Sequence, residues 1–341
     1  ATLLVVSAIL TFRGNASIAW LNLTTLLLLA ALFGGFAYID LAQPAWWQRA
    51  NAWADMHGLG LRWLALAAGC TALTAMRFAL RISIDGLFAG GTTSLWVMSW
   101  ICLLIGVWPR QGIRIREYVV AHRIELSAVL AITLIGAGLR FVALGAIPNI
   151  LIGDEGMIGL WAESIGVNAG ILTTPFASMD GVGTIYLALM KGVFWLFGPN
   201  EVSLRLIPAL AGTLALPATY FATRYLLGTR AAWVAFVLLT VSHVHIHFSR
   251  TVAVSYIYTT LFIPLALYFL LSGMERRSPF RLSLSVLMIG LHLNFYVDGW
   301  VWLVLLFLLL GAWAIIDRSI FKGNRVNLVI LALAFLVIIT P

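Results

Sequence analysis

The sequence predicts an all-α protein, a polytopic bundle of transmembrane helices, on three observations. Of its 341 residues 62% are apolar and only 10% are charged. The mean hydropathy is +1.00, and apolar runs close to the ~20 residues that cross a bilayer recur along the whole length. That composition excludes a soluble domain. The net charge of +8 gathers in clusters between the runs, where cytoplasmic loops account for it, so no nucleic-acid partner is expected. Cys70 and Cys102 lie inside apolar runs without C-x-x-C or zinc spacing, which argues against a disulfide framework or a thiolate metal site.

Taken in order, the first four runs are 2–12, 18–39, 62–80 and 95–108, with a mixed segment at 40–61 that suits an interface. Trp46, Trp47, Trp108 and Trp161 stand near the ends of such runs, as an aromatic belt requires. The segment 110–123, RQGIRIREYVVAHR, carries four arginines and reads as a cytoplasmic loop. The run 125–147 then crosses outward. Three more basic clusters follow: Arg224 with Arg230; Arg276, Arg277 and Arg281; and Arg318, Lys322 and Arg325. If all are cytoplasmic, the crossings between them come in pairs: 203–226 inward, 231–248 outward, 252–271 inward, 282–297 outward, 300–316 inward and 326–339 outward. The apolar segment 181–197 breaks that parity and has Lys191 at its middle, costly at bilayer depth by ~2.5 to 3.5 kcal/mol. It is therefore expected to lie at the outer interface, with Lys191 turned to the acidic site or to headgroups. The chain opens at Ala1 within an apolar run and stops at Pro341 after another, which reads as a fragment.

The chemistry is expected around 151–164, LIGDEGMIGLWAES, where Asp154 and Glu155 stand side by side just past a membrane run. A carboxylate there can stay ionised, bind a metal or take a proton. Adjacent residues diverge by ~100° on a helix, so one is expected to be catalytic and the other positional, and Asp154 is the better candidate for base or metal-binding carboxylate. Glu163 reads as a solvated charge on the same helix. A second constellation is SHVHIHFSR at 242–250: His243 and His247 share a helix face while His245 looks away, and the two could share a metal or act as interfacial wedges. Arg250 offers a charged fork suited to a phosphate, or a snorkelling anchor. Tyr296, Asp298 and Trp300 sit at the next outward hairpin, NFYVDGW, where they could border the same cavity and Tyr296 and Asp298 bind substrate, or Asp298 could be no more than a turn acid before Gly299. Asp180, in TTPFASMDGVG, is placed to cap the interfacial helix.

From about residue 125 to residue 317 the chain resembles the integral-membrane glycosyltransferases of the GT-C type. It is most similar to bacterial relatives of dolichyl-phosphate-mannose protein mannosyltransferases and to the lipid A aminoarabinose transferases. The resemblance is carried by GDEG after the first helix, by GTIYLALMKGVFWLFGPNEVSLRLIPALAGTLALPATYFATRYLLGTRAAWVAF, and by VSHVHIHFSR. It implies a GT-C bundle with an extracytoplasmic first loop and an interfacial helix. It also implies transfer of a hexosyl or pentosyl unit from a polyprenyl-phosphate sugar to a protein or lipid acceptor outside a bacterial or archaeal plasma membrane. The family's essential aspartate of the first outer loop would be Asp154, with Glu155 beside it. Its phosphate-holding cations would be Arg250 and Lys191, and a divalent metal remains compatible with Asp154. On this reading residues 1–109 are extra helices of unassigned role, 110–124 a basic loop and 125–341 a truncated catalytic module.

Two other classes compete. A transporter or flippase for a lipid-linked or anionic substrate would show midplane charges and internal repeats, whereas the charges here gather at one face. A non-catalytic scaffold would be indifferent to loss of Asp154 and Arg250.

Overall fold

The computed structural model describes residues 16–79, 92–110, 115–164, 178–179, 181–252 and 256–340. The run 2–12 and Asp180 lie outside them. The described residues form 16 helices and one two-stranded hairpin, so the all-α expectation holds. They fall into two compact units.

The first unit holds Ala1–Arg110 and Val326–Pro341. Its helices are α1 (Ala16–Ala42), α2 (Ala45–Met56), α3 (Leu61–Ala79), α4 (Thr92–Gly106) and, but for its first residue, α16 (Arg325–Ile339). The mixed segment becomes α2, joined to α3 at a bend of 104°. Arg110 closes this corner by donating to Asp55 Oδ1 at 2.6 Å and to the Leu59 carbonyl at 2.9 Å. Trp96 Nε1 donates to the Val337 carbonyl at 2.7 Å, fastening α16 to α4.

The second unit, Gln111–Val167 with Phe176–Arg325, carries every candidate site residue. Its order is α5 (Ile115–Ala121), α6 (Arg123–Phe141), α7 (Gly153–Ser164), β1 (Ser178–Met179), β2 (Val182–Gly183), α8 (Thr184–Phe197), α9 (Glu201–Leu227), α10 (Thr229–Val241), α11 (His243–Ser249), α12 (Tyr256–Glu275), α13 (Pro279–Leu293), α14 (Gly299–Ile316) and α15 (Arg318–Gly323). Four helices, α6, α9, α12 and α14, are long and apolar enough to cross a membrane, and the bent pairs α2–α3 and α10–α11 raise the number to six. At 14 residues α8 is too short to cross upright. Val129, Leu216, Tyr220, Ala232 and Phe236 pack the interior of α6, α9 and α10. At one end of that packing Tyr220 donates to Glu125 at 2.5 Å, and Glu125 pairs with Arg224 at 3.0 Å.

Three runs differ from their sequence outlines, each for a local reason. Helix α6 stops at Phe141 rather than near residue 147, because Val142 is extended and Ala143 takes a positive φ of 53°. The run 231–248 is two helices bent by 59° at Ser242, whose side chain accepts from the His245 N–H and restarts the helix as an N-cap. Helix α13 ends at Leu293, and residues 295–297 instead pair with the hairpin. There Gly183 N–H donates to the Phe295 carbonyl at 3.2 Å, and Val297 N–H donates to the Gly181 carbonyl at 2.9 Å. A Cβ on Gly183 would lie 2.0 Å from the Asn294 carbonyl oxygen, so only glycine permits this approach.

Candidate active site

Helix α7 opens at Gly153 and places the two acids on different sides, as their adjacency requires. Glu155 is fully buried. Its Oε1 and Oε2 accept from Arg205 Nε at 3.1 Å and Nη2 at 3.0 Å, a two-pronged pair with both side chains at most 1% exposed. The remaining lone pairs accept from the Val252 N–H at 2.9 Å and the Ile152 N–H at 3.2 Å. Arg205, in the first turn of α9, directs its other N–H groups to the carbonyls of Leu144, Pro148 and Ile150. The pair thus gathers the 144–155 segment, α9 and the chain after α11 into one knot, and a buried ion pair persists only when its charges are satisfied this fully.

Asp154 points elsewhere. It is exposed, and no described residue hydrogen bonds its carboxylate. The Tyr296 phenol is pushed above its ordinary range by burial first and then by Tyr256, Asp298 and Asp154. Two carboxylates therefore act on one phenol, Asp154 from α7 and Asp298 from the start of α14.

Arg250 is 6% exposed. Its Nη1 donates to the Leu139 carbonyl at 2.9 Å, its Nη2 to Val142, Ala143 and Ile147 at 2.7 to 3.0 Å, and its Nε to Ile147 at 3.2 Å. These are the open carbonyls where α6 ends, so the fork that the sequence assigns to a phosphate is engaged with a helix C-terminus. Among the described residues no carboxylate is bonded to it, and its positive charge stands at the end of a cleft. That cleft, about 620 Å³, runs along α6 and α11 past Ile135, Leu139, Val142, His243 and His247 to Arg250. His243 and His247 stack with centroids 6.4 Å apart and planes 15° apart, so the i,i+4 reading of this pair is seen in the geometry. Among the described residues no three His, Cys, Asp or Glu side chains gather to hold a metal ion.

Lys191 donates to Glu163 Oε2 at 2.8 Å and to the Glu163 carbonyl at 3.1 Å. It ties α8 to the end of α7, and its half-exposed partner Glu163 is a paired charge rather than a solvated one.

Three groups went unremarked in the sequence. Arg140, in the last turn of α6, is fully buried. It donates from Nη2 to His245 Nδ1 at 2.7 Å, from Nε to Ser249 Oγ at 3.2 Å, and toward the Thr240 and Leu239 carbonyls at 3.5 and 3.4 Å. Because Nδ1 of His245 accepts, its ring hydrogen sits on Nε2 and reaches Thr260 Oγ1 at 3.1 Å. The signal was available: an arginine within an apolar run demands a partner. His292 and Thr259 are the other two, and each is an isolated polar residue in an apolar helix with no spacing to mark it.

Residues 183–341 match the family model of dolichyl-phosphate-mannose-protein mannosyltransferase. The matched segment covers 159 of the 341 residues. It takes in Lys191, Arg205, His243, His247, Arg250, Tyr296 and Asp298, and it begins after the acidic stretch, so Asp154 and Glu155 lie outside it. Neither the curated proteins nor the solved structures yield a match.

Proposed function

We propose that this protein is a membrane glycosyltransferase that moves a sugar from a polyprenyl phosphate to a protein or lipid acceptor at the extracytoplasmic face, with Asp154 as the base. The observation that carries the reading is the contrast within one dipeptide. Glu155 is locked by Arg205 while Asp154, on the same turn, is exposed and unbonded among the described residues. Glu155 also accepts from Val252, two residues beyond Arg250, which ties the acid's helix to the cationic end of the apolar cleft.

The chemistry divides accordingly. An acceptor hydroxyl attacks the anomeric carbon of the donor, its proton passes to the Asp154 carboxylate, and the anomeric C–O bond breaks with its electron pair leaving on the lipid phosphate. The positive charge of Arg250, with His243 and His247 beside it, favours an anion at the polar end of the cleft, and the apolar walls suit a prenyl chain. Purified protein in lipid nanodiscs, given polyprenyl phosphates labelled in the sugar, is expected to release bare polyprenyl phosphate and pass the label to an acceptor. Movement of intact donor across a vesicle membrane without cleavage would replace this reading with the transporter.

Arg250→Lys tests how the cation works. A lysine cannot reach the carbonyls of Leu139, Val142, Ala143 and Ile147 together. Leaving buried acceptors unmet costs about 1 to 3 kcal/mol each. The variant is expected to melt at lower temperature as well as to use donor poorly. Unchanged melting with impaired donor use would instead return Arg250 to a direct phosphate grip.

A further inference from the structure

We infer that the turn 294–300 holds a sugar-binding subsite, with Asp298 accepting hydrogen bonds from the sugar's hydroxyls and with Thr259 and His292 positioning it from behind. The inference rests on the transferase reading above and concerns which group of the donor this turn meets.

Asp298 stands at the N-cap of α14, where an aspartate ordinarily accepts from the backbone of the next turn, yet it makes no such bond. Its Oδ2 accepts instead from Thr259 Oγ1 at 2.8 Å. Thr259 has a single hydroxyl hydrogen, already donated to Asp298, so the 3.1 Å contact between Thr259 Oγ1 and His292 Nε2 must be donated by the imidazole. His292 Nε2 also lies 3.5 Å from Asp298 Oδ2. A buried imidazole, a hydroxyl and a carboxylate are thus chained across α13, α12 and the start of α14. The histidine is fully buried, whereas the Asp298 side chain remains 30% exposed, so the chain runs from the interior to the site.

A second observation points to a polar ligand or water at the same place. Eight buried side-chain N or O atoms among the described residues meet no protein partner. Three of them stand within residues 292–298: His292 Nδ1, Asn294 Oδ1 and Asp298 Oδ1. Tyr186, Tyr258 and Tyr296 also line a closed space of about 10 Å³, the room of about one water. A carboxylate braced from behind, in the same turn as the half-buried Tyr296 and the exposed Trp300, offers what a pyranose needs: an acceptor for its hydroxyls and flat apolar surface for its C–H face.

The test compares the affinity of the protein in nanodiscs for bare polyprenyl phosphate with that for polyprenyl-phosphate mannose, glucose and galactose. Wild type is expected to prefer a sugar-bearing lipid. Asp298→Asn is expected to reduce that preference about tenfold, leaving affinity for the bare lipid unchanged. Thr259→Val should move it the same way and Thr259→Ser should restore it, a split that mere packing would not produce. Should Asp298→Asn fail to fold, Asp298→Glu keeps the charge but displaces it by one methylene and should lose the preference in the same way. Wild-type preference in the aspartate variant overturns the inference while the transferase reading stands. Failure of wild type to bind any of these lipids takes down that reading and this inference together.

Discussion

Asp154→Asn is expected to abolish sugar transfer while leaving the protein folded and inserted. Removing a positioned general base typically costs about 10²- to 10⁴-fold in rate. The amide is isosteric, and because the carboxylate is exposed with no described hydrogen-bond partner, melting should not move. Transfer measured from a labelled donor, with a melting curve on the same preparation, separates chemistry from stability. Retained turnover would remove Asp154 from the reaction, and a large fall in melting temperature would mean that the side chain is structural.

Glu155→Ala should do the opposite, one residue away. It strands Arg205, whose side chain is 1% exposed, without its counter-charge, and breaking a buried pair from one side costs about 3 to 5 kcal/mol. The same change frees the Val252 and Ile152 N–H groups. The expected result is poor yield of folded protein and a sharply lowered melting temperature. Activity should fall only in proportion to the folded fraction if Glu155 has no chemical role. A stable but inactive variant would show that the buried acid takes part in chemistry.

These two outcomes also mark what the sequence could reveal. The helical, membrane-spanning character was legible because bilayer solvation imposes long apolar runs, and the resemblance to GT-C enzymes rests on the order and spacing of its segments. That Asp154 and Glu155 point to different surroundings followed from the 100° turn between neighbours. Which partner would bury Glu155 did not, since Arg205 lies 50 residues away in sequence. Arg250 illustrates the limit. A terminal arginine in an S-R pair looks the same whether it faces a phosphate or the carbonyls of another helix, and only the early end of α6 at Phe141 supplies those carbonyls. The break at Ser242 was hidden because both halves are apolar and a serine N-cap is inconspicuous within a longer run. His292 and Thr259 were invisible for a similar reason: their meeting with Asp298 depends on how α12 and α13 pack.

The two carboxylate-free arginines at the end of α6 bear on how the protein is made. Arg140 sits on α6 and turns toward the last carbonyls of α10, while Arg250 sits just past α11 and covers the last carbonyls of α6. Each helix end is closed by a residue that the other segment carries, and the partners are separated by 99 to 111 residues. During synthesis α6 therefore precedes the groups that close its end by about a hundred residues, and until then Arg140 has only the Gly136 carbonyl of its own helix. The carbonyls at the end of α6 gain these partners only once α11 and the residue after it have followed.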